Sequence, residues 1–179
     1  AMGTTAIAIF VSPWGKRSGA HINPAVTLTF WFLGKVKTAD ALFYVVSQFL
    51  GATLGMFVAK LFLGDLLAEP AVNFVVTMPN ASGAFASFFA EFAMSFAMMT
   101  MVLWTANNAK TTRFTPFFAG TLVALFIAFE SPLSGMSLNP ARTFGSALIG
   151  NQWNSVWIYF IAPPMAMLSA AAVYLAANG

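Results

Sequence analysis

"SGAHINPAVTLTFWFLG", from Ser18 to Gly34, recurs later in the chain as "SGMSLNPARTFGSALIG", from Ser134 to Gly150. Both stretches carry Ser-Gly, then Asn-Pro-Ala, then a Thr and a closing Gly at matching positions. Asn is a favoured N-cap, Pro is favoured at the first helical position, and Gly is favoured just past a helix end. Each stretch therefore predicts a helix of about ten residues, ~15 Å long, which is about half the hydrocarbon thickness of a bilayer.

The composition indicates a membrane protein. Of the 179 residues 59% are hydrophobic and 7% are charged, against roughly 25% charged residues in an ordinary soluble domain. The chain has no cysteine and one histidine, which argues against a disulfide framework, a metal site and a catalytic triad. Eight Lys and Arg residues are too few for a nucleic-acid surface. We therefore expect no enzyme activity, no cofactor, no metal and no nucleic-acid partner.

Long apolar runs divide the chain into membrane spans. A span requires ~20 helical residues, and four runs reach about that length, whereas the first run is shorter. The runs are Ala1 to Val11, Leu42 to Leu63, Ala84 to Ala106, Phe114 to Glu130 and Trp153 to Ala177. We expect five spans, of which the first is partial, and a further span that precedes them.

The basic residues predict how the spans are oriented. Four of them lie between the first and second runs and two between the third and fourth runs: Lys16, Arg17, Lys35, Lys37, Lys110 and Arg113. The connection between the second and third runs holds Asp65 and Glu69 but no cation. By the positive-inside rule the first and third connections and the C-terminus are cytoplasmic. The two short helices must then enter the membrane from opposite sides, with their N-termini meeting near its middle.

The two Asn-Pro-Ala boxes, Asn23-Pro24-Ala25 and Asn139-Pro140-Ala141, followed by Arg142, resemble those of the major intrinsic protein family of aquaporins and glycerol facilitators. The resemblance implies an all-α membrane protein with an aquaporin-like right-handed helical bundle, inverted repeats and two re-entrant half-helices, the first span of the family being absent. It implies one channel domain over residues 1–179, with residues 1–63 and 84–179 as the repeats. It also implies a homotetramer in a lipid bilayer, which we expect to be the inner cell membrane.

The boxes predict a mechanism for passing water without protons. The amide NH2 groups of Asn23 and Asn139 are expected to donate hydrogen bonds to a passing water oxygen, beside two positive helix N-termini. A cation at Arg142 is costly in a bilayer, which argues against a purely structural placement, and the alternative is that Arg142 reaches the outer headgroups. The resemblance implies that Arg142 lines an outer constriction. Counted back from Asn139 without gaps, the matching partners in the selectivity filter are Met136 and Ile127, and Gly3 is the corresponding position in the first run.

This filter matches neither familiar subclass of the family. Water-specific members commonly have histidine where Ile127 falls and an aromatic residue where Gly3 falls, so the constriction could be wider and more apolar. Glycerol facilitators typically have aspartate where Thr143 falls. We predict water as the permeant, with small neutral solutes such as glycerol as the alternative. A coupled carrier and a non-conducting structural protein are further alternatives.

Two polar residues have more than one interpretation. His21 lies two positions before Asn23 and could touch permeating water or bond to its own loop. Glu91 lies in an apolar span, where a carboxylate is costly unless it is paired or accepts hydrogen bonds. In the resembling family a glutamate at this place braces the re-entrant loop, and we favour that role over proton relay.

Overall fold

The computed structural model describes residues 1–178, which form nine α-helices and three short 3-10 turns with no β-strand. The α-helices are α1 (Met2–Val11), α2 (Pro13–Ser18), α3 (Pro24–Phe32), α4 (Thr38–Leu63), α5 (Gly83–Ala106), α6 (Thr115–Phe129), α7 (Ser131–Ser134), α8 (Pro140–Gly150) and α9 (Val156–Asn178). Four helices, α4, α5, α6 and α9, are long and apolar enough to cross a membrane, whereas α1 is shorter. The all-helical membrane fold predicted from the sequence is confirmed.

The two short helices form where the repeated boxes predict them. Helix α3 has 9 residues and α8 has 11, so neither can span a bilayer. After α3, Gly34 adopts the left-handed conformation (φ +68°) that was expected of a closing glycine. After α8 the expectation is wrong by one residue, because Gly150 is helical and Asn151 (φ 50°) takes the left-handed position. Asn tolerates this conformation better than other residues with a side chain.

The packing of the helices follows an internal twofold relationship. The run α1 to α4 corresponds in order to the run α6 to α9, and each half-helix packs against the long helix of the other repeat. Helix α8 packs on α4, and α3 packs on α9, while α1 and α6 pack on each other. The short helices therefore lie side by side in the centre of the bundle, held by long helices from the opposite repeat.

Helix α5 has no counterpart in this relationship among residues 1–178. It packs along α9, whose inner face is buried, whereas the corresponding face of α4 is open. Within α4 only Ala41 is buried, and large apolar side chains such as Leu54 and Phe62 are exposed. A span that precedes α1, as expected from the sequence, stays a prediction.

Close contact between α1 and α6 depends on two glycines. A Cβ atom built on Gly120 would lie 2.7 Å from the carbonyl oxygen of Gly3 and would also meet the side chain of Ile7. A Cβ atom on Gly3 would meet the carbonyl of Gly120 in return. Small residues at both positions let the two backbones approach each other, as is common in membrane helix pairs.

We predict that Gly120→Leu destabilises the protein by about 1–3 kcal/mol, because the added side chain would force α1 and α6 apart. Thermal unfolding of the purified protein in detergent would measure this loss. The matched control is Thr121→Leu, which adds a similar side chain at an exposed position of the same helix. Equal thermal stability of the two variants would show that the glycine contact is unimportant.

Candidate functional site

Both half-helices begin with the same cap. The side-chain Oδ1 of Asn23 accepts the backbone N–H of Ala25 at 2.9 Å, and Pro24 occupies the first helical position. Likewise, Oδ1 of Asn139 accepts the N–H of Ala141 at 3.0 Å. Because Oδ1 of each amide is used in its own cap, the NH2 group must point away from the helix that it caps.

The two NH2 groups reach across to the opposite loop. Nδ2 of Asn23 donates to the carbonyl of Leu138 at 2.7 Å, and Nδ2 of Asn139 donates to the carbonyl of Ile22 at 2.9 Å. We call this reciprocal pair of hydrogen bonds the amide cross-link. It brings the N-termini of α3 and α8 to one place, as the sequence predicted. It uses one N–H of each amide, so a second N–H remains on each Nδ2.

The loops before the half-helices have an unusual backbone. Gly19 and Ala20 in the first loop, and Gly135, Met136 and Leu138 in the second, all have positive φ. A Cβ atom on Gly135 (φ +80°) would lie 2.9 Å from the backbone nitrogen of Met78 and 3.0 Å from Cα of Thr77. Glycine is therefore required there both by its φ and by the space available.

Glu91 holds the second loop by its backbone. Its Oε1 accepts the N–H of Ser137 at 2.6 Å and the hydroxyl of Ser134 at 2.9 Å, and its Oε2 accepts the N–H of Leu138 at 2.8 Å. The side chain is fully buried. Both carboxylate oxygens are thus occupied by donors from the loop, an arrangement that offsets the cost of burying the charge.

A central cavity of about 600 Å³ runs past the amide cross-link. It is lined by the first helix, both re-entrant loops and the inner faces of α5, α6 and α9. Among the predicted site residues it touches Asn23, Asn139, Met136 and Arg142. The other lining side chains are mostly apolar, including Phe30, Val102 and Met167.

Two of the four predicted filter residues do not line this cavity. Gly3 lies in the contact with α6, where it packs against the backbone of Gly120. Ile127 packs against the buried apolar cluster that includes Leu138. On α1, Met2, Thr5, Ala6 and Ile9 line the cavity instead. The difference arises from the rotation of α1 and α6 about their axes, which gapless counting does not specify.

Arg142 lies on the first turn of α8, and its backbone N–H is 3.3 Å from Oδ1 of Asn139. Its Nη1 is buried and has no hydrogen-bond partner within residues 1–178. Met136, at the other side of the box, is 4% exposed and borders the same cavity. Arg142 and Met136 thus line the same cavity.

His21 lies away from the central cavity. Its ring stacks on Tyr44 at 4.8 Å between centroids, and its Nδ1 is 3.1 Å from Oγ1 of Thr27. Gln48 donates from Nε2 to the carbonyl of His21 at 2.8 Å and to Oγ1 of Thr27 at 2.9 Å. The His21 ring therefore contacts the Thr27 side chain on α3 and not its own loop backbone.

His21 faces a second cavity, of about 480 Å³, which we call the lateral cavity. It is lined by Gln48, Gly51 and Gly55 on the open face of α4 and by Ser146 on α8, among others. Asn139 and Arg142 line both cavities. A Cβ atom added to Gly51 or Gly55 would meet no other atom of residues 1–178 within 4 Å, so this face of α4 is open.

Three supporting interactions could not be found from the sequence. Thr143 Oγ1 is 2.6 Å from Oγ of Ser137 and 2.8 Å from Oγ1 of Thr77, all buried. Tyr159 donates its hydroxyl to the carbonyl of Ser134. A third contact links Ser134 to Glu130. Only the tyrosine had a sequence signal, because Tyr44 takes the matching place in the first repeat and donates to the carbonyl of Ser18 at 3.0 Å.

The polar groups that line the central cavity include hydrogen-bond donors. No group of three or more His, Cys, Asp or Glu side chains within residues 1–178 is arranged to hold a metal. The cavity presents N–H donors from two amides and one guanidinium, on an apolar wall.

Comparison with known proteins decides the family. The family described as "Major intrinsic protein" matches residues 1–174. The chain belongs to the major intrinsic protein family. Members of this family are membrane channels and not enzymes.

Similar proteins include the plant aquaporin NIP1-2 of Arabidopsis thaliana, which is 33% identical to this major intrinsic protein over 172 residues, 94% of this chain and 58% of that protein. Nodulin-26 of Glycine max is 32% identical over 170 residues, 94% of this chain and 60% of that protein. The chain thus spans less than two thirds of these relatives. The aquaglyceroporin of Plasmodium falciparum shares the fold, with a TM-score of 0.80, 18% identity and coverage of 97% of this chain and 88% of that chain.

We predict that Glu91→Leu destabilises this major intrinsic protein, because the N–H groups of Ser137 and Leu138 would lose their acceptors at a cost of about 1–3 kcal/mol each. Thermal unfolding in detergent would measure the effect. The control is Ser95→Ala on the same helix, since the Ser95 hydroxyl is buried and has no hydrogen-bond partner within residues 1–178. A Glu91→Leu protein as stable as Ser95→Ala would contradict the bracing role.

Proposed function

We propose that this protein is a passive channel that conducts water along osmotic gradients and excludes protons and ions. The observation that carries the proposal is the amide cross-link, in which the amides of Asn23 and Asn139 lie beside the central cavity, each with a second N–H. Family membership supports a channel as the class of activity. Together they favour conduction of small neutral molecules over binding or catalysis.

The exclusion of protons follows from the direction of the donors. The remaining N–H groups of Asn23 and Asn139 both donate, so a water molecule between them offers its oxygen to the two amides. Its own two protons then point along the passage in opposite directions, and a proton that arrives finds no free lone pair to accept it. The N-termini of α3 and α8 add roughly half a positive charge each at the same place, which repels cations.

Arg142 and Met136 are the proposed outer constriction. Arg142 brings a permanent positive charge to the wall of the cavity, and its Nη1 is without a partner within residues 1–178. It can therefore repel cations and donate to a neutral permeant. Met136 supplies an apolar surface next to it. The Pro and Ala residues of the boxes act through helix geometry, because they start α3 and α8 at the amide cross-link. They are Pro24, Ala25, Pro140 and Ala141.

Conduction of small neutral solutes such as glycerol is the second candidate. The lining of the central cavity is largely apolar, and His21, the single histidine of the chain, lies outside it. An apolar wall with a few donors suits a carbon chain with hydroxyl groups. The fold is shared with a protein that is described as an aquaglyceroporin, although at 18% identity.

A coupled carrier and a non-conducting structural protein fit less well. A carrier driven by an ion or proton gradient requires an available binding or titrating group in the membrane. Glu91 lies within a long apolar span, and both of its oxygens are occupied by loop donors. Glu130 lies just after α6, at the end of a span rather than within it. A structural role would leave the cavity and its aligned donors without a purpose.

The setting of the channel is also part of the proposal. Residues 1–63 and 84–179 would form two inverted repeats of one channel domain in the inner cell membrane, with the C-terminus in the cytoplasm. The apolar helices and the placement of the basic residues support this arrangement. Assembly as a homotetramer in the lipid bilayer is proposed from the family alone.

We predict that Asn139→Asp lowers osmotic water permeability at least about tenfold and admits cations, because a carboxylate keeps the cap but replaces the N–H donor by a negative charge. Stopped-flow light scattering of proteoliposomes measures the permeability, and a pH-sensitive dye inside them measures proton leak. Asn107→Asp is the control, because that exposed amide caps the carbonyl of Leu103 at the end of α5, away from the cavity.

Parallel water and glycerol gradients separate the candidates. A water channel shrinks vesicles rapidly with a low activation energy and passes glycerol slowly, whereas a solute facilitator passes both. Saturable flux that follows an ion gradient would indicate a carrier. Vesicles no more permeable than empty ones, with correctly inserted protein, would contradict the proposed function.

A further inference from the structure

Ser134 lies between two carboxyl groups. Its Oγ is 2.9 Å from Oε1 of Glu91 and 2.9 Å from Oε2 of Glu130. The same oxygen accepts the backbone N–H of Met136 at 3.2 Å. Ser134 is fully buried at the end of α7, and Glu130 is half-buried just after α6. One hydroxyl therefore has three polar neighbours.

Counting protons shows that these contacts need one more hydrogen. A serine hydroxyl has one proton and two lone pairs. The N–H of Met136 uses one lone pair, and the hydroxyl proton can point to only one carboxylate. If Glu91 and Glu130 were both ionised, one oxygen–oxygen contact would hold no proton and two negative charges would adjoin one hydroxyl. The geometry thus requires a proton on one of the two carboxyl groups.

The surroundings of the two carboxyl groups differ. Glu91 accepts the N–H groups of Ser137 and Leu138, which favour its charged form. Glu130 has one backbone donor instead of two, the N–H of Ser134, and its Oε1 is buried without a hydrogen-bond partner within residues 1–178. The proton therefore belongs on Glu130, with Glu91 as the ionised partner.

We propose that Glu130 is a positioning residue that holds the second re-entrant loop as a neutral carboxylic acid, and that its ionisation loosens this loop and lowers water flux. The inference rests on the proposed channel function. Neutral Glu130 donates its proton to Oγ of Ser134, and the hydroxyl of Ser134 donates to Glu91. Once ionised, Glu130 no longer has a donor for Ser134 and turns to water.

Ser134 transmits this change to the passage. Its Oγ holds the N–H of Met136, whose side chain lines the central cavity. Its carbonyl accepts the hydroxyl of Tyr159 on α9. Movement of Ser134 therefore moves Met136, which lines the same cavity as Arg142, while the half-helix cap at Asn139 keeps its own hydrogen bonds.

The charges around Glu130 agree with a proton held near neutrality. Glu91 on α5, Arg142 on α8 and Tyr159 on α9 are the titratable groups that surround this site. Burial, and then the negative charge of Glu91, raise the pKa of Glu130 to about 7, against the hydrogen bond from Ser134, which lowers it. The folded protein thus keeps a proton that the unfolded chain loses at its ordinary pKa of 4.5. The support of the loop is complete at lower pH and is lost as the pH rises through about 7.

The first test measures the proton itself. Difference infrared spectroscopy of the purified protein is expected to show the C=O stretch of a protonated carboxylic acid, which disappears as the pH rises through about 7. Glu130→Gln is expected to remove this signal. The control Glu69→Gln, an exposed acidic residue, is expected to keep it.

The second test measures water flux by stopped-flow light scattering of proteoliposomes between about pH 5.5 and about pH 8.5. This range brackets the ordinary pKa of histidine and the pKa of a perturbed carboxyl group. The water permeability of the wild type is expected to fall at least about threefold at the higher pH. This fall corresponds to an increase of RT ln 3 in the free-energy barrier to permeation. Glu130→Gln keeps a neutral donor for Ser134 at every pH, so it should stay at the low-pH permeability of the wild type. Glu69→Gln should follow the wild-type profile.

Each outcome bears on one proposal. A wild-type infrared signal absent at all pH values, or retained in Glu130→Gln, overturns the assignment of the proton. A flat wild-type flux profile, or one that Glu130→Gln still shows, overturns the link to conduction. Absence of water flux from all variants at every pH counts against the channel function, and the infrared titration then still decides whether Glu130 carries the proton.

Discussion

The architecture depends on the amide cross-link between the two half-helices. Each of these helices is too short to cross a bilayer, and each begins at a loop whose backbone polar groups lie far from bulk water. The cap of one helix donates to the loop carbonyl of the other, at Leu138 and at Ile22. The two half-helices therefore hold each other's loops. Their shared position then sets where the donors and the positive helix ends meet.

Irregular backbone at this depth requires support, and the two loops obtain it from different chemistry. The second loop is held by a charged group, Glu91, through two backbone N–H groups. The first loop is held by a neutral side chain, Gln48, through the carbonyl of His21. Because an ionised acceptor forms stronger hydrogen bonds than a neutral amide, the second loop is the more firmly held while Glu91 is charged. The two loops are thus related by the internal twofold of the fold, but the groups that support them differ in charge.

Local chemistry made much of this predictable from the sequence. The Asn caps, the Pro at the first helical position and the lengths of the apolar runs are local signals. They therefore predicted both half-helices and the spanning helices. The comparison with a solved structure agrees with this fold. Rotation of α1 and α6 about their axes is a tertiary property, and for this reason the sequence could not show that Gly3 and Ile127 lie outside the cavity lining. The contact of Ser134 with Glu130 was equally hidden. A short polar residue near a helix end has too many possible partners for its sequence position to choose among them.

The lateral cavity lies beside the central cavity, on the open face of α4. Asn139 and Arg142 border it as well as the central cavity, so these two residues lie between the central cavity and the open face of α4. In the other repeat α5 packs along the corresponding face of α9, so the open face of α4 is the matching place for a helix. A helix that packed there would contact Asn139 and Arg142 from the side opposite to the central cavity, and its side chains would then affect the shape of the proposed constriction.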